Sequence, residues 1–256
     1  MNQTILHSES LSVGYTSQKQ VIENASFSVN QGDIVLMLGE NGSGKSTLIK
    51  TLAALQKPLK GDIQFKGKQI VDWSKSELAK EMALVLTYKS VNGLMQVDEF
   101  IAFGRYPFTN WLSKLSEKDM AVIEKSKRIC GLADFGSKRI AELSDGERQT
   151  VFLARAIAQQ TNLLILDEPT THLDIKNIST QLKLLKSLSE EGKTIIFSSH
   201  QFELALQIAT KVWLIANQRL HEFAVEEFYE NCVYQQLLLG DTYRYDIENK
   251  HFRIKI

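Results

Sequence analysis

The feature that most constrains the fold is a glycine-rich loop that directly follows a short apolar strand. Residues Ile34 to Leu38 are continuously apolar, as expected for a strand buried on both faces of a sheet. The loop runs from Gly39 to Thr47, and Ser46 to Leu55 has the spacing of a helix. The order strand, loop, helix predicts an α/β fold, with the loop placed at the N-terminus of a helix where anions bind.

The loop has the pattern G-x-x-x-x-G-K-[ST], which suits nucleotide phosphates. Glycines let backbone N–H groups point at phosphate oxygens, and the following helix adds its positive dipole end. We expect Lys45 to reach the β- and γ-phosphates of ATP and the Ser46 hydroxyl to ligate Mg²⁺. Alone, the pattern is also compatible with a kinase, a GTPase or a motor protein. The predicted ATP-binding residues of the loop are Gly39, Glu40, Asn41, Gly42, Ser43, Gly44, Lys45, Ser46 and Thr47.

Two carboxylates follow a second apolar strand, Leu163 to Leu166. Strand ends in parallel sheets face the ligand crevice, so we expect Asp167 to hold Mg²⁺ and Glu168 to polarise the attacking water as general base. In isolation both residues also fit simple helix-starting acids. His200 follows a third strand, Thr194 to Ser198, and is predicted to orient the water; a lone histidine is otherwise more often structural.

Composition disfavours several classes of function. The 256 residues include 30 Lys+Arg and 30 Asp+Glu, which leaves no net field to hold a nucleic acid. Cys130 and Cys232 are the two cysteines, so a disulfide scaffold or a zinc site is not expected. The N-terminus lacks the pattern of a signal peptide, and the apolar runs are far shorter than the ~20 residues of a membrane-spanning helix.

The remaining pattern predicts where strands and helices lie. Ile5 to Val29 alternates as antiparallel strands do, and Gly61 to Val71 predicts a hairpin. The stretch from about Val91 to Leu143 has helical spacing, clearest over Lys118 to Cys130, and predicts a helical insert. Further elements are predicted as helices at Glu147–Gln159, Ile175–Glu190 and Phe202–Ala209, and as two short strands within Val212–Leu220.

The segment Leu143 to Gln149 resembles the LSGGQ signature of ABC ATPases, with Asp145 and Glu147 in place of a glycine and the glutamine. The order of motifs over about residues 4 to 220 is also similar to that family, and Tyr15 lies where the family stacks an aromatic ring on adenine. The resemblance implies a P-loop NTPase fold of the ABC ATPase type, with a RecA-like mixed sheet core, an N-terminal antiparallel β subdomain and a helical insert.

The resemblance also implies how the single domain, 1–256, is divided. The nucleotide-binding core is expected at about 1–86 and 147–220, the helical subdomain at about 87–146 and a C-terminal tail at 221–256. The loop Thr171 to Asp174 corresponds to the family's Asp-loop. In the family, signature residues contact the γ-phosphate held by another copy, so a homodimer with two shared ATP sites is implied. The signature residues expected to make this contact are Ser144, Asp145, Gly146 and Glu147.

A further position, outside the signature, departs from the family pattern. A glutamine that ligates Mg²⁺ and faces the membrane partner is usual in the family, and its place falls near Thr87. Gln96 lies too far along the chain to replace it without a gap. Thr87 offers an oxygen to the ion or to a water molecule, so it is the candidate ligand at this place.

Ala102 to Trp111, with the sequence AFGRYPFTNW, looks like the corresponding stretch of ATPases that serve importers of iron-siderophore, haem and cobalamin complexes. The resemblance implies that this stretch contacts a permease, which is a separate chain. It also implies that an extracytoplasmic substrate-binding protein belongs to the same system. The expected location is the cytoplasmic face of the membrane. An ordinary loop with core aromatics would give the same composition.

Two other functions use the same motifs. A soluble ABC ATPase, such as an assembly factor for iron-sulfur clusters, would dock soluble partners instead of a permease. An ATP-gated clamp would bind ATP and hydrolyse it negligibly, which the substitutions at Thr87 and Asp145 leave open. The expected cofactors in every case are ATP and Mg²⁺.

Overall fold

The computed structural model describes residues 3–16, 19–86, 93–109, 114–230, 236, 238, 243–246 and 251–254. The strands in this part of the chain are β1 (Thr4–Thr16), β2 (Lys19–Asn30), β3 (Ile34–Gly39), β4 (Lys60–Phe65), β5 (Lys68–Gln69), β6 (Met82–Val85), β7 (Leu163–Leu166), β8 (Thr194–Ser198), β9 (Lys211–Ala216), β10 (Arg219–Ala224), β11 (Tyr243–Asp246) and β12 (His251–Ile254). The helices are α1 (Lys45–Leu52), α2 (Lys75–Glu81), α3 (Val97–Ala102), α4 (Glu117–Ile129), α5 (Asp145–Ala158), α6 (Ile175–Glu190), α7 (Phe202–Leu206) and α8 (Val225–Glu230). A 3₁₀-helix over Phe103–Phe108 follows α3.

The chain divides into two compact units. The first unit contains Met1–Trp73 and Ile196–Ile256, and the second unit contains Ser74–Ile195. The boundary lies inside β8, between its second and third residues.

Antiparallel strands form one sheet of the first unit, in the order β2-β1-β4-β5. Buried side chains alternate with less buried ones over residues 25–29 of β2 and 63–65 of β4, whereas residues 11–14 of β1 are all buried. This alternation is the pattern of a sheet with one wet face. The predicted antiparallel strands and the predicted hairpin are therefore confirmed.

A second set of strands in the first unit is mixed in direction. β3 pairs in parallel with β9, and β9 pairs antiparallel with β10. Ile34 to Leu38 of β3 are at most 2% exposed, so the continuous apolar run is explained by burial on both faces. The glycine-rich loop leaves the carboxyl end of this buried strand and enters α1.

The second unit contains its own parallel pair, β6 and β7, with Met82 opposite Leu163 and Val85 opposite Leu166. The backbone N–H of Asp167 donates to the Val85 carbonyl at 2.8 Å, which extends this pairing by one residue. The carboxylate pair thus begins at the end of a strand whose four residues are buried.

The helices of the second unit pack around α5. The rings of Phe100 on α3 and Phe152 on α5 meet edge to face, with centroids 4.8 Å apart. Arg105 and Asp119 form an ion pair of 2.9 Å, with side chains 6% and 10% exposed. The Arg105 guanidinium also donates to the Ala158 carbonyl at the end of α5, at 2.9 Å, so the buried charges are fully engaged.

The sequence pattern located most elements. α6 and β8 have the predicted bounds, whereas α7 ends at Leu206 and β10 continues to Ala224, past the end predicted at Leu220. α2 and β6 were not predicted, and neither were α8, β11 and β12 of the C-terminal tail. No helix in the described part of the chain is both long and apolar enough to cross a bilayer.

Candidate functional site

The glycine-rich loop has a backbone that other residues could not adopt without strain. Gly44 has φ of 110°, and a Cβ there would lie 3.0 Å from the Val21 side chain. A Cβ on Gly39 would lie 2.6 Å from the Ile215 carbonyl oxygen and 2.6 Å from Ser43 Oγ. The loop therefore packs closely on β2 and β9, and Gly39 and Gly44 combine a positive φ with little space for a side chain.

Lys45 is held across the loop by the loop's own carbonyls. Its Nζ donates to the carbonyls of Gly39 at 2.6 Å and Glu40 at 2.9 Å, and the residue is 7% exposed. A buried ammonium must stay hydrogen-bonded, so these bonds hold the cation at the place where an entering phosphate would meet it. Next to Lys45, Ser46 is exposed on the first turn of α1 and Thr47 is buried.

The mouth of the loop is open to solvent. Glu40, Asn41 and Gly42 are exposed. Ser43 Oγ is buried and has no hydrogen-bond partner within the described residues, which leaves a polar atom available in the loop. A cavity of about 340 Å³ adjoins this side and is lined by the loop and by Gln20, Val21, Ile215, Ala216, Asn217 and Gln218.

Tyr15 lies beside the helix that follows the loop. The Thr47 hydroxyl donates to the Tyr15 hydroxyl at 3.4 Å, and the Tyr15 residue is 62% exposed. The Lys19 ammonium lies 5.5 Å from the centroid of the Tyr15 ring. An exposed ring at the edge of a phosphate loop is suited to stacking on a base, as the sequence predicts.

His200 also belongs to the first unit and lies two residues past the end of β8. Ser198 and Ser199 are buried, while His200 is exposed. The backbone N–H of Gln201 donates to Ser199 Oγ at 3.0 Å, which fixes the turn that carries the histidine. The imidazole is therefore presented at the carboxyl end of a buried strand.

The second unit carries the two carboxylates. Asp167 is 5% exposed. Glu168 has φ of 51°, a left-handed conformation that costs a non-glycine residue about 1–3 kcal/mol. The Thr171 hydroxyl donates to Glu168 Oε2 at 3.1 Å, so the carboxylate is oriented by a neighbour.

The signature residues form the N-terminus of α5. Ser144 is the N-cap: its Oγ accepts from the Glu147 N–H at 3.2 Å, while its own N–H and hydroxyl both donate to Glu147 Oε2 at 2.8 Å. The bonds from the backbone N–H and the hydroxyl of Ser144 lower the pKa of Glu147 below its ordinary value. Asp145 pairs with Arg148 at 3.0 Å. The helix tip is thus capped by a carboxylate that stays ionised.

Gly146 fits closely against the Asp-loop. A Cβ at this position would lie 3.1 Å from the His172 carbonyl oxygen and 3.0 Å from Leu173 Cδ2. A polar cleft of about 620 Å³ adjoins the contact. Its polar lining includes Ser144, Asp145, Glu147, His172, Asp174 and Asn177.

The two predicted Mg²⁺ ligands within the described residues carry oxygen. The hydroxyl of Ser46, in the first unit, and the carboxylate of Asp167, in the second unit, are each hard donors of the kind that Mg²⁺ prefers alongside water and substrate phosphates. Within the described residues, no group of three or more His, Cys, Asp or Glu side chains is arranged to hold a metal. A Mg²⁺ ion bound mostly through ATP does not need one. Thr87, the third candidate ligand, lies outside the described residues.

Two residues near the carboxylates were missed by the sequence analysis. Gln149 donates from Nε2 to the Glu168 carbonyl at 3.3 Å, and Thr171 donates to the Glu168 side chain. The sequence contained a signal for both residues, because Gln149 lies in the signature segment and Thr171 in the Asp-loop. Their contacts depend on how α5 packs on the segment after β7, which spacing alone does not give.

Comparison with known families agrees with these features. The family profile described as "ABC transporter" matches residues 22–171, more than half of the chain. A shorter profile, of an AAA domain, matches residues 137–206.

Similar proteins share most of the chain. An ABC transporter ATP-binding protein of Methanocaldococcus jannaschii is 40% identical, over 97% of this chain and 83% of its own. The achromobactin transport ATP-binding protein of Dickeya dadantii is 36% identical, over 84% of this chain and 80% of its own. The iron(3+)-hydroxamate import ATP-binding protein of Bacillus subtilis is 34% identical, over 80% of this chain and 76% of its own.

A solved structure gives the same result for the fold. An inward-facing structure described as a metal-chelate type ABC transporter matches with a TM-score of 0.80 and 26% identity, over 98% of this chain and 96% of that one. A nucleotide-free ATP-binding cassette, 22% identical, matches with a TM-score of 0.80 over 93% of this chain. The predicted α/β fold is therefore confirmed.

Proposed function

Because the chain belongs to the ABC transporter family of ATP-binding, ATP-hydrolysing subunits, we propose that it energises an importer of ferric siderophore complexes. The observation that carries the proposal is its identity of 34–36% with one transport and one import ATP-binding protein over at least four-fifths of the chain. Their names specify achromobactin and iron(3+)-hydroxamate, which favours ferric siderophores over haem or cobalamin as the substrate class.

The proposed ATP chemistry gives one role to each of the predicted site residues. Lys45 and the loop N–H groups neutralise charge that develops on the γ-phosphoryl group during transfer. Ser46 and Asp167 are the proposed ligands of Mg²⁺, which neutralises charge on the β- and γ-phosphate oxygens when bound. Glu168 acts as general base on the attacking water, and His200 orients that water for in-line attack.

The proposed assembly is a homodimer with a nucleotide at each of two shared sites. The Ser144 hydroxyl and the N-terminal amides of α5 are donors suited to a γ-phosphate held by the second copy. Each chain carries one phosphate loop and one signature, so each copy completes the other's site. Closure on ATP and opening after hydrolysis would drive the permease.

The proposed permease contact is an apolar groove in the second unit. It forms a cavity of about 580 Å³ beside the stretch that the sequence analysis assigned to the permease. Of the groove residues, Leu94 is 73% exposed, Met120 49% and Tyr106 45%. Phe108, two residues after Tyr106, is 40% exposed. Several exposed apolar residues in one groove are typical of a protein interface. The groove is suited to binding a short helix of a separate membrane protein. The apolar lining is Leu94, Met95, Ala102, Phe103, Tyr106, Leu115, Met120 and Ile123.

The wall of this groove carries paired charges. Lys127 is 3% exposed and bonds to Asp98 at 2.6 Å and to Glu124 at 2.7 Å. Burial acts to lower the pKa of Lys127, but the two carboxylates outweigh it and raise the pKa above its ordinary value. Since Glu99, which also lines the groove, adds a further carboxylate, we propose that the docked helix presents a basic residue at this wall.

A variant of the groove tests the permease contact. Leu94→Asp places a charge on the exposed groove residue and should abolish co-purification with the proposed permease. Val71→Asp is the control, because Val71 is 66% exposed and lies outside the groove. Both variants should retain ATP binding. Normal co-purification of Leu94→Asp would contradict the permease contact.

A transport assay tests the proposed function. The chain, its permease and the binding protein are reconstituted in proteoliposomes, and ATP-dependent uptake of a radiolabelled ferric siderophore is measured. Uptake should require this chain, and Glu168→Gln should abolish it. Full ATPase activity without any permease association would favour the soluble assembly factor. ATP-driven dimerisation without turnover, in single-turnover assays matched to Glu168→Gln, would favour the clamp.

A further inference from the structure

Glu168 has a strained backbone and is also the proposed general base. A general base must keep its carboxylate within hydrogen-bond reach of a water molecule, yet the residue has φ of 51°. A left-handed non-glycine residue persists only where its surroundings determine it. The groups that hold this backbone therefore set the position of the carboxylate.

Two residues are bonded to Glu168 from different directions. Thr171 donates from its backbone N–H to the Glu168 carbonyl at 3.2 Å and from its hydroxyl to Oε2 at 3.1 Å. Gln149 donates from Nε2 to the same carbonyl at 3.3 Å. Thr171 is local to the turn, whereas Gln149 reaches it from α5.

Gln149 and Ser144 belong to one helix. Ser144 caps α5, and Gln149 lies in its first two turns, so a shift of the helix tip moves both side chains. The tip also contacts the segment after Glu168, since a Cβ on Gly146 would lie 3.1 Å from the His172 carbonyl oxygen. The helix that faces the second copy's nucleotide is thus bonded to the residue that acts on this copy's own nucleotide.

We propose that Gln149 is a positioning residue that couples the signature helix to the general base of the same chain. When the N-terminus of α5 binds the γ-phosphate held by the second copy, the Gln149 side-chain amide holds the Glu168 backbone in the productive conformation. Hydrolysis in one site then depends on occupancy of the other. This proposal rests on the proposed ATP-driven homodimer.

The first test replaces Gln149 by methionine, which has a similar length and no donor. The kcat for ATP hydrolysis should fall about tenfold or more, while KM for ATP and MgATP-driven dimerisation change less than about twofold. Gln159→Met is the matched control. Gln159 lies just past the other end of α5 and donates to the carbonyls of Ala79 at 2.6 Å and Met82 at 2.9 Å. That variant should lower the melting temperature and leave kcat unchanged.

The second test locates the effect within a mixed dimer. Glu168→Gln in one copy leaves ATP bound at both sites and a single site able to hydrolyse it, whose phosphate loop and Glu168 belong to the other copy. Gln149→Met should lower turnover when placed in the copy that supplies Glu168, and should have little effect in the copy that supplies the signature.

Three results would overturn the coupling. These are an unchanged kcat for Gln149→Met, an equal loss for Gln159→Met, or a loss that follows the signature copy. Failure of the proposed ATP-driven homodimer is recognised separately, because the wild-type chain would then fail to dimerise with MgATP or to hydrolyse it.

Discussion

Replacing Ser144 by alanine separates the structural role of the signature serine from its proposed role toward the second copy. The Ser144 hydroxyl caps α5, and loss of an N-cap costs about 1 kcal/mol of helix stability. In a chain of this size that corresponds to roughly 2–4 °C in melting temperature. The same hydroxyl is proposed to donate to a γ-phosphate, and a hydrogen bond to a charged group contributes about 1.5–3 kcal/mol.

The lower end of that range applies here. In the isolated chain the Ser144 hydroxyl already donates to the Glu147 carboxylate at 2.8 Å, so binding exchanges one charged acceptor for another. At ~1.5 kcal/mol per site, two sites give ~3 kcal/mol, which weakens the dimer about 10²-fold. The assay is light scattering during a MgATP titration, performed in the Glu168→Gln background so that hydrolysis does not disperse the dimer.

Ser74→Ala is the matched control for this prediction. Ser74 caps α2 with the same geometry: its Oγ accepts from the Glu77 N–H at 3.2 Å, and its N–H donates to Glu77 Oε2 at 2.8 Å. Both variants should lose similar stability, and only Ser144→Ala should lose dimerisation. Equal dimerisation of the two variants would refute the reasoning.

Two further predictions concern single side chains. Lys45→Ala should abolish ATP binding, measured by calorimetry, because the cation at the centre of the loop is removed; retained binding would show that Lys45 does not meet the phosphates. Hydrogen bonds from Ser116, then the Arg105 partner, lower the pKa of Asp119 to about 2 from 3.8. Asp119 therefore stabilises the fold fully above about pH 4, and its contribution is lost as the pH falls toward 2, whereas Asp119→Asn should flatten this part of the curve of unfolding free energy against pH.

Much of the fold was predictable because burial and periodicity agree. The run Ile34 to Leu38 and the alternation of Ile5 to Val29 gave the right element types, since each reports directly which faces are buried. β6 was missed because Met82 to Val85 is a short apolar run that follows a helix and has no turn residue before it. α2 was missed although Ser74 and Glu77 form a capping box, a signal readable from sequence.

The parts of the site that consist of local sequence motifs were predictable. The loop, the strand-end carboxylates and the signature are local patterns, and the structure presents them at strand ends and helix tips. The roles of Lys45, Glu168 and His200 stay predictions, and Thr87 lies outside the described residues. The left-handed backbone of Glu168 and its bond from Gln149 are tertiary features, 19 residues apart in sequence, that no local pattern encodes.

The most direct test of the shared-site account measures the mass and nucleotide content of the Glu168→Gln chain with MgATP. The account predicts a particle of twice the 29.0 kDa mass that contains one ATP per chain, and a return to the single-chain mass when Mg²⁺ is chelated. A species that binds ATP at 29.0 kDa under saturating MgATP would contradict it.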